Sequence, residues 1–289
     1  MRHGRGPAAR STMNTIHREF FDVSRSDEWR LHIIGDVHLG NKGCNEAALL
    51  RTVNVIAADP RALWIGMGDY AEFINVSDPR FRADSLARWV KVSHLVDLSE
   101  AQRERFLRFV TPIADKCLAL VEGNHERTIQ RYYERNIYSE IVTGVKAKAG
   151  LQPTDILGLG YSGWVVLHFY RSNERKHATV IKLNLHHGHA TGRKLGGKVN
   201  ALQDRLWTHD ADLVIMNHCH DEIAASVAVQ SVRGDKVVNE VRKGVYGGTF
   251  LADATYSEEK GYPPQPVDSP VIILKPGVEL QEDRIRIVV

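Results

Sequence analysis

Short apolar runs recur along this chain, and each hands over to a tight polar cluster rich in Gly, Asp, Asn and His. Run 31–34 precedes Gly35-Asp36-Val37-His38, and 62–65 precedes Gly68-Asp69. Run 118–121 leads into Gly123-Asn124-His125-Glu126, 178–185 into His186-His187-Gly188-His189, and 212–216 into Asn217-His218-Cys219-His220. Apolar runs of this length, bounded by Gly and polar residues, read as buried strands. Loops at strand ends collect functional groups because a rigid strand fixes the loop that carries them. A fold that puts several strand tips side by side is therefore expected.

The order along the chain supports this. Asn45 caps a helix with Leu49, Val53 and Ile56 on one face, and Asp59-Pro60 ends it before the second strand. Strand, helix, strand predicts a parallel pair with a right-handed crossover. Residues 71–116 form an excursion, read as a helical insertion. In it Ser99-x-x-Gln102 fits a capping box, and Phe106, Phe109, Val110 and Ile113 mark a helical face. Residues 127–148 read as helical. Runs 164–170 and 178–185 are expected to pair antiparallel around a polar turn. A helix carrying Val199, Leu202 and Leu206 precedes the strand at 212–216. Runs 227–232 and 236–241 flank a Gly234-Asp235 turn, and 271–274 and 285–289 complete the strands. Two sheets face to face with helices outside satisfy both halves.

The clusters span residues 36 to 220 of 289, so one domain is expected over 28–289. Residues 1–27 are read as a flexible extension; 1–14 are Arg-rich, without acids and without the apolar segment of a secretory signal. Three widely spaced cysteines, Cys44, Cys117 and Cys219, argue against a disulfide framework and for a reducing, cytoplasmic setting. No run approaches the length that spans a bilayer, so no membrane association is expected. A net charge of +3 permits an anionic substrate and is too small to imply nucleic acid.

Two carboxylates, one amide, several imidazoles and almost no thiol make a ligand set for divalent transition metals. In extended backbone, residues i and i+2 share a face, so Asp36 with His38, and His218 with His220, can each serve one ion. Either pair alone is commonplace: a strand His is usually a satisfied core residue, and an Asp before a loop is often a cap. Together the clusters supply enough donors for two ions. A carboxylate bridge holds two cations about 3.5–4 Å apart, and Asp69 is the natural bridge because its cluster holds no second ligand.

With all five blocks present in order over about residues 31–220, the chain resembles the calcineurin-like metallophosphoesterase superfamily. The resemblance implies an α/β fold, a four-layer α/β/β/α sandwich of two mixed sheets, and a di-metal phosphoesterase site. It implies that Asp36, His38, Asp69 and His220 hold one metal, and Asp69, Asn124, His218 and one of His186 or His187 the other. His125 matches the family's non-ligand catalytic histidine. The fourth block leaves two candidates. Gly directly after the ligand favours His187, whereas first place after the strand slightly favours His186, and both stay open. Asn217 stands where the family often has Gly, which alters the loop without removing a ligand.

The activity expected is hydrolysis of phosphate esters through a metal-bridging hydroxide. Two cations (Mn, Fe, Zn, Co or Ni) lower the pKa of water and neutralise charge on phosphorus. A phosphodiesterase or nuclease is expected, with a phosphomonoesterase or a silent metal-binding scaffold as alternatives. His125 would protonate the leaving oxygen or steady the transition-state charge. Glu126 either orients a neighbouring ligand or is a first-turn acid facing water. The segment Gly192–Lys198 fits part of a P-loop, but Val199 stands where a hydroxyl is required. Its Arg193, Lys194 and Lys198 are candidate substrate contacts, or simply a solvated basic loop. Arg127, Arg131 and Arg135 with Tyr132 and Tyr133 would suit nucleic acid, or an ordinary solvated helix face. Partners beyond a phosphate ester, including nucleotide or nucleic acid, and the oligomeric state are left open.

Overall fold

The strand Ala62–Gly66 (β3) is buried along its whole length, because both faces of its sheet are covered. Leu63 and Ile65 point to one core and Ala62 and Trp64 to another. That burial on two sides explains why the run reads as continuously apolar instead of alternating. The Trp64 indole N–H donates to the Ile113 carbonyl at 2.6 Å, so the largest side chain in this layer is buried without an orphaned donor.

The computed structural model describes residues 14–175, 179–189, 192, 194–252 and 267–289. One sheet has five strands, in the order Ile285–Val288 (β11), Val271–Leu274 (β10), Trp29–Ile34 (β2), β3 and Cys117–Leu120 (β4). β2, β3 and β4 run parallel, and β10 is antiparallel to both of its neighbours. The second sheet has six strands, in the order Thr15–Phe20 (β1), Ser162–Phe169 (β5), Thr179–His186 (β6), Leu213–Met216 (β7), Lys236–Gly247 (β9) and Glu222–Arg233 (β8). β6, β7 and β9 are parallel, while β5–β6 and β8–β9 are antiparallel.

The two sheets pack through Leu31, Ile33, Ile65, Val121, Val165, Leu185, Ile215 and Val245. Outside the first lie Glu46–Ala58 (α1), Leu98–Val110 (α2) and Ile137–Ala149 (α4), contributing Leu49, Phe106 and Ile141. Outside the second lies Leu195–Thr208 (α5), with Leu202 and Leu206 against Val214 and Tyr246. The result is a four-layer α/β/β/α sandwich of two mixed sheets, as the motifs imply.

Four local expectations differ. The segment to residue 27 is not all extension: β1 pairs in parallel with β5 from Thr15 to Phe20. Its charged residues belong to an edge strand. Ile16 is buried, and Arg18 Nη2 donates to the carbonyls of Leu118 and Ile156, which a reading from charge overlooks. Residues 71–116 are irregular up to Asp97 apart from two 3-10 turns, so only the latter part of that insertion is helical. The helix there is capped by Asp97, which accepts from Glu100 N at 2.9 Å, and not by Ser99. Gln102 is buried, and its Oε1 accepts from Phe73 N at 2.9 Å, fastening the insertion to the sheet. Residues 127–148 divide into Asn124–Tyr133 (α3) and α4, separated at Glu134, which has φ 54°.

Candidate metal centre

The tips of β2, β3, β4, β6 and β7 open on one end of the sandwich, the crevice beyond the carboxyl ends of parallel strands where α/β sheets bind ligands. Donor atoms of Asp36, His38 and His220 lie within 4.8 Å of one another, as do those of Asp69, His187 and His218. Asp69 joins the two groups: its Oδ2 lies 4.0 Å from His38 Nε2 and 3.3 Å from His187 Nε2. Asn124 adds its Oδ1, 3.0 Å from His187 Nε2.

The backbone reaches this geometry by an unexpected route. Asp36 (φ 46°), His38 (φ 52°), His218 (φ 73°) and His220 (φ 61°) are left-handed, as is Asp69 (φ 52°). The i, i+2 pairs converge through tight left-handed loops, and not through extended strand as their spacing suggests. Left-handed backbone costs an L-residue about 1–2 kcal/mol. Strain of this kind persists only where the surroundings impose it. Gly68 (φ 87°) shows how tight the packing is, since a methyl there would sit 2.8 Å from His187 Nδ1.

Each imidazole is oriented by a bond at its far nitrogen. His187 Nδ1 donates to the Met67 carbonyl at 2.6 Å, leaving Nε2 directed at Asn124 and Asp69. His38 Nδ1 donates to Glu72 Oε2 at 3.1 Å, leaving Nε2 3.3 Å from His220 Nε2. His125 Nδ1 donates to the Glu72 carbonyl at 2.5 Å, and its backbone N–H to Asp69 Oδ1 at 2.9 Å. Glu72 thus holds two imidazoles, one with its carboxylate and one with its main chain. Sequence reading passed it over, although it lies only three residues beyond Asp69.

His187 and not His186 faces the site, against the slight preference for the first residue after the strand. His187 is fully buried. His186 instead keeps the outward direction of its strand: its Nδ1 accepts from Gly188 N at 2.8 Å, and its ring meets Tyr161 edge-on. The chain must turn one residue further before a side chain enters the crevice. Glu126 resolves as an orienting group, since it is buried and accepts from the backbone N–H groups of Asp69, Tyr70 and Gly123 at 2.8–3.0 Å. It fixes the loop that carries Asp69. Asn217 donates to Asp36 Oδ2 at 3.2 Å, beside the His218 N–H at 2.7 Å.

Burial and charge set the ionisation here. Burial opposes charge on His38, but the hydrogen bond and charge of Glu72, with Asp69 and Asp36, outweigh it and raise its pKa to about 9. Burial also opposes charge on His187, yet Asp69 brings it up to about 10. His218 is pushed down to about 4 by burial and by His187, and His220 well below its usual value by burial and by His38. Burial raises Asp36 to about 6, offset in part by His187. Burial disfavours the Asp69 carboxylate too, but the charges of His187 and His125 hold its pKa well below the usual range.

The donors fit divalent cations. Both bonds to the Asp36 carboxylate fall on Oδ2, and Oδ1 is buried with no partner. His187 Nε2 and Asn124 Oδ1 face each other at 3.0 Å, as do His38 Nε2 and His220 Nε2 at 3.3 Å. Opposed acceptors at such distances need a proton or a cation between them. Imidazole, carboxylate and amide donors suit Mn, Fe, Co, Ni or Zn.

The basic residues expected to meet substrate scatter. Arg193 lies outside the described residues. Lys194 is exposed at the start of α5, whereas Lys198 is buried and ion-paired with Asp221. Nor do the arginines after the third block form one surface. Arg135 is tied to Asp97, Glu100 and Glu140, Arg131 lies over the Tyr132 ring, and Arg127 lies 4.3 Å from the Tyr161 ring centre. No helix among the described residues is long and apolar enough to cross a membrane.

No curated protein matches this sequence. Among solved structures, the chain is similar to a conserved uncharacterized protein of Streptococcus pneumoniae TIGR4, described as a predicted phosphoesterase. That similarity covers 90% of this chain and 97% of the other at 10% identity, with a TM-score of 0.30, which is too low to carry an argument. The family model of the calcineurin-like phosphoesterases matches residues 30–243, a span containing every strand tip of the site. The chain belongs to the calcineurin-like phosphoesterase family.

Proposed function

We propose that this chain is a di-metal phosphoesterase that cleaves phosphodiesters, with Asp36, His38, Asp69 and His220 at one ion and Asp69, Asn124, His187 and His218 at the other. The observation that carries this reading is the pair of buried ligand-atom groups joined by Asp69, with Asp36 Oδ1 buried and without a partner among the described residues. Two bound divalent ions supply Lewis-acid polarisation of the phosphoryl oxygens and lower the pKa of coordinated water.

The chain's own groups do the rest. Asp69 is held by Glu126 through its loop and by the His125 N–H at its carboxylate, so the oxygens that would hold the ions stay in place. The Glu72 carbonyl accepts a hydrogen bond from His125 Nδ1–H and fixes the ring, so that the doubly protonated imidazolium can give its Nε2 proton to the departing oxygen. The Glu72 carboxylate fixes the tautomer of His38. Burial of His187 and Asp36 excludes water from the inner wall. Burial also keeps the Cys219 thiol protonated, with its pKa pushed up to about 12, and all three cysteines are free, which suits a reducing cytoplasm.

The test is hydrolysis by manganese-loaded protein of bis-nitrophenyl phosphate, mono-nitrophenyl phosphate, cyclic nucleotides, and single-stranded and duplex DNA, with Asp69→Asn as control. Diester cleavage that disappears in Asp69→Asn is the expected result. Turnover of the monoester alone would replace the diesterase reading, and turnover of nothing would leave a metal-binding scaffold.

A further inference from the structure

A strip of cationic and aromatic side chains leads away from the metal centre along the outer face of the six-stranded sheet. It begins at His187, whose ring lies 5.4 Å from that of Tyr161. Tyr161 is fixed by its hydroxyl, which donates to the Gly188 carbonyl at 2.8 Å, and carries the Arg127 guanidinium over its ring. Its edge meets His186 at 5.4 Å, and His186 in turn lies 6.1 Å from the exposed His189. Arg205 on α5 lies beside it, bonded to Ser162, whose partner across the strands is His186.

Arg205 is the informative residue. It is half-buried, and its hydrogen bonds go only to neutral acceptors, the Asn184 amide at 2.7 Å and the Ser162 hydroxyl at 2.9 Å. Among the described residues no carboxylate pairs with it. Burial alone acts on it, lowering its pKa to about 10. A half-buried guanidinium held in place by two neutral acceptors, with no acid to neutralise it, is poised for an anion. Several other arginines are balanced by acids: Arg135 and Arg103 by Glu100, Arg105 by Glu46, and Arg127 by Glu122. Arg18 also donates to neutral acceptors, the carbonyls of Leu118 and Ile156, but it stands on the edge strand β1 and not beside the strip.

We propose that this strip is a subsite for a second phosphate of the substrate, the one adjoining the scissile phosphodiester in an oligonucleotide strand, with Arg205 as its main contact. The proposal rests on the phosphodiesterase reading for the position of the scissile group. A simple ester with one phosphate leaves Arg205 unused, whereas a polynucleotide presents the next phosphate at every step. Local charge, and not the modest net charge of +3, then selects the substrate.

The test separates binding from cleavage. Anisotropy of a fluorescein-labelled, cleavage-resistant phosphorothioate oligothymidylate is measured against salt with manganese-loaded protein, for wild type, Arg205→Gln, Arg205→Lys and Arg127→Gln. Arg205→Gln is expected to weaken binding about tenfold and to reduce the slope of log affinity on log salt by about 0.7, the loss of one phosphate contact on a single strand. Arg205→Lys should keep most of the slope. Under turnover, Arg205→Gln should raise KM for the oligonucleotide with little change in kcat. Unchanged affinity in both Arg205→Gln and Arg127→Gln would overturn the subsite. So would weakened binding with an unchanged salt slope, which marks a structural role, or a wild type that does not bind the oligonucleotide. Binding with the expected slope but no cleavage would instead count against the phosphodiesterase reading and leave the subsite standing.

Discussion

Glu72 touches both the metal ligand candidate His38 and the proton donor candidate His125, and it makes these contacts through different atoms. Substitution therefore separates them. Glu72→Gln keeps the carbonyl that holds His125 and removes the charge that holds His38, so metal affinity should fall about 10–100-fold in a metal titration; an unchanged affinity would show that the contact is idle. His125→Ala should lower kcat by about 10²–10⁴-fold with two ions still bound. Metal analysis of that variant is informative, because His125 also lies within ligand distance of His38 and Asp69. Loss of an ion would make it a ligand. The neighbours His186 and His187 give a third contrast at this scale: His187→Ala should lose metal and His186→Ala should retain it, read by elemental analysis of each variant.

At the scale of elements, a charged clamp ties α2 to α4. Arg135 at the α3–α4 junction bridges Asp97, Glu100 and Glu140, and Arg103 also bonds Glu100. The hydrogen bond from Arg103, more than that from Arg135, holds Glu100 down to about 2, with burial opposing. Because the folded pKa is depressed, this contribution is fully present above the ordinary carboxylate pKa near 4.5 and is lost as pH falls toward 2. The group is about one-third exposed, so the effect is small, below about 1 kcal/mol. Thermal melts of wild type and Glu100→Gln should differ at pH 6 and converge near pH 2. Glu126 works at the same scale with a larger effect. Glu126→Ala would orphan three backbone N–H groups and should destabilise the chain by about 3 kcal/mol or more, measured by denaturant unfolding.

For the whole molecule, the centre joins residues 36 to 220 across both sheets, so ion binding and folding are linked. Manganese at one hundred times its dissociation constant should add about 2.7 kcal/mol to stability. The melting temperature should fall on chelation and recover on re-addition; insensitivity to chelator would sink the two-ion reading.

The sequence by itself determined the strand runs, the layers and the residues at each strand tip. Burial on both faces of β3 and β7 demands apolar residues throughout, and the Gly-Asp and Gly-Asn-His clusters mark where each run stops. Only the tertiary structure turned His187 and not His186 toward the crevice, placed β1 in the sheet, gave Glu72 its two partners, and left Arg205 without an acid among the described residues. The reason is physical. Strand propensity and burial are local and repeat with a short period, so they are written along the chain. The direction of a side chain at a strand end depends on left-handed turns and on partners over a hundred residues away, which no local pattern encodes.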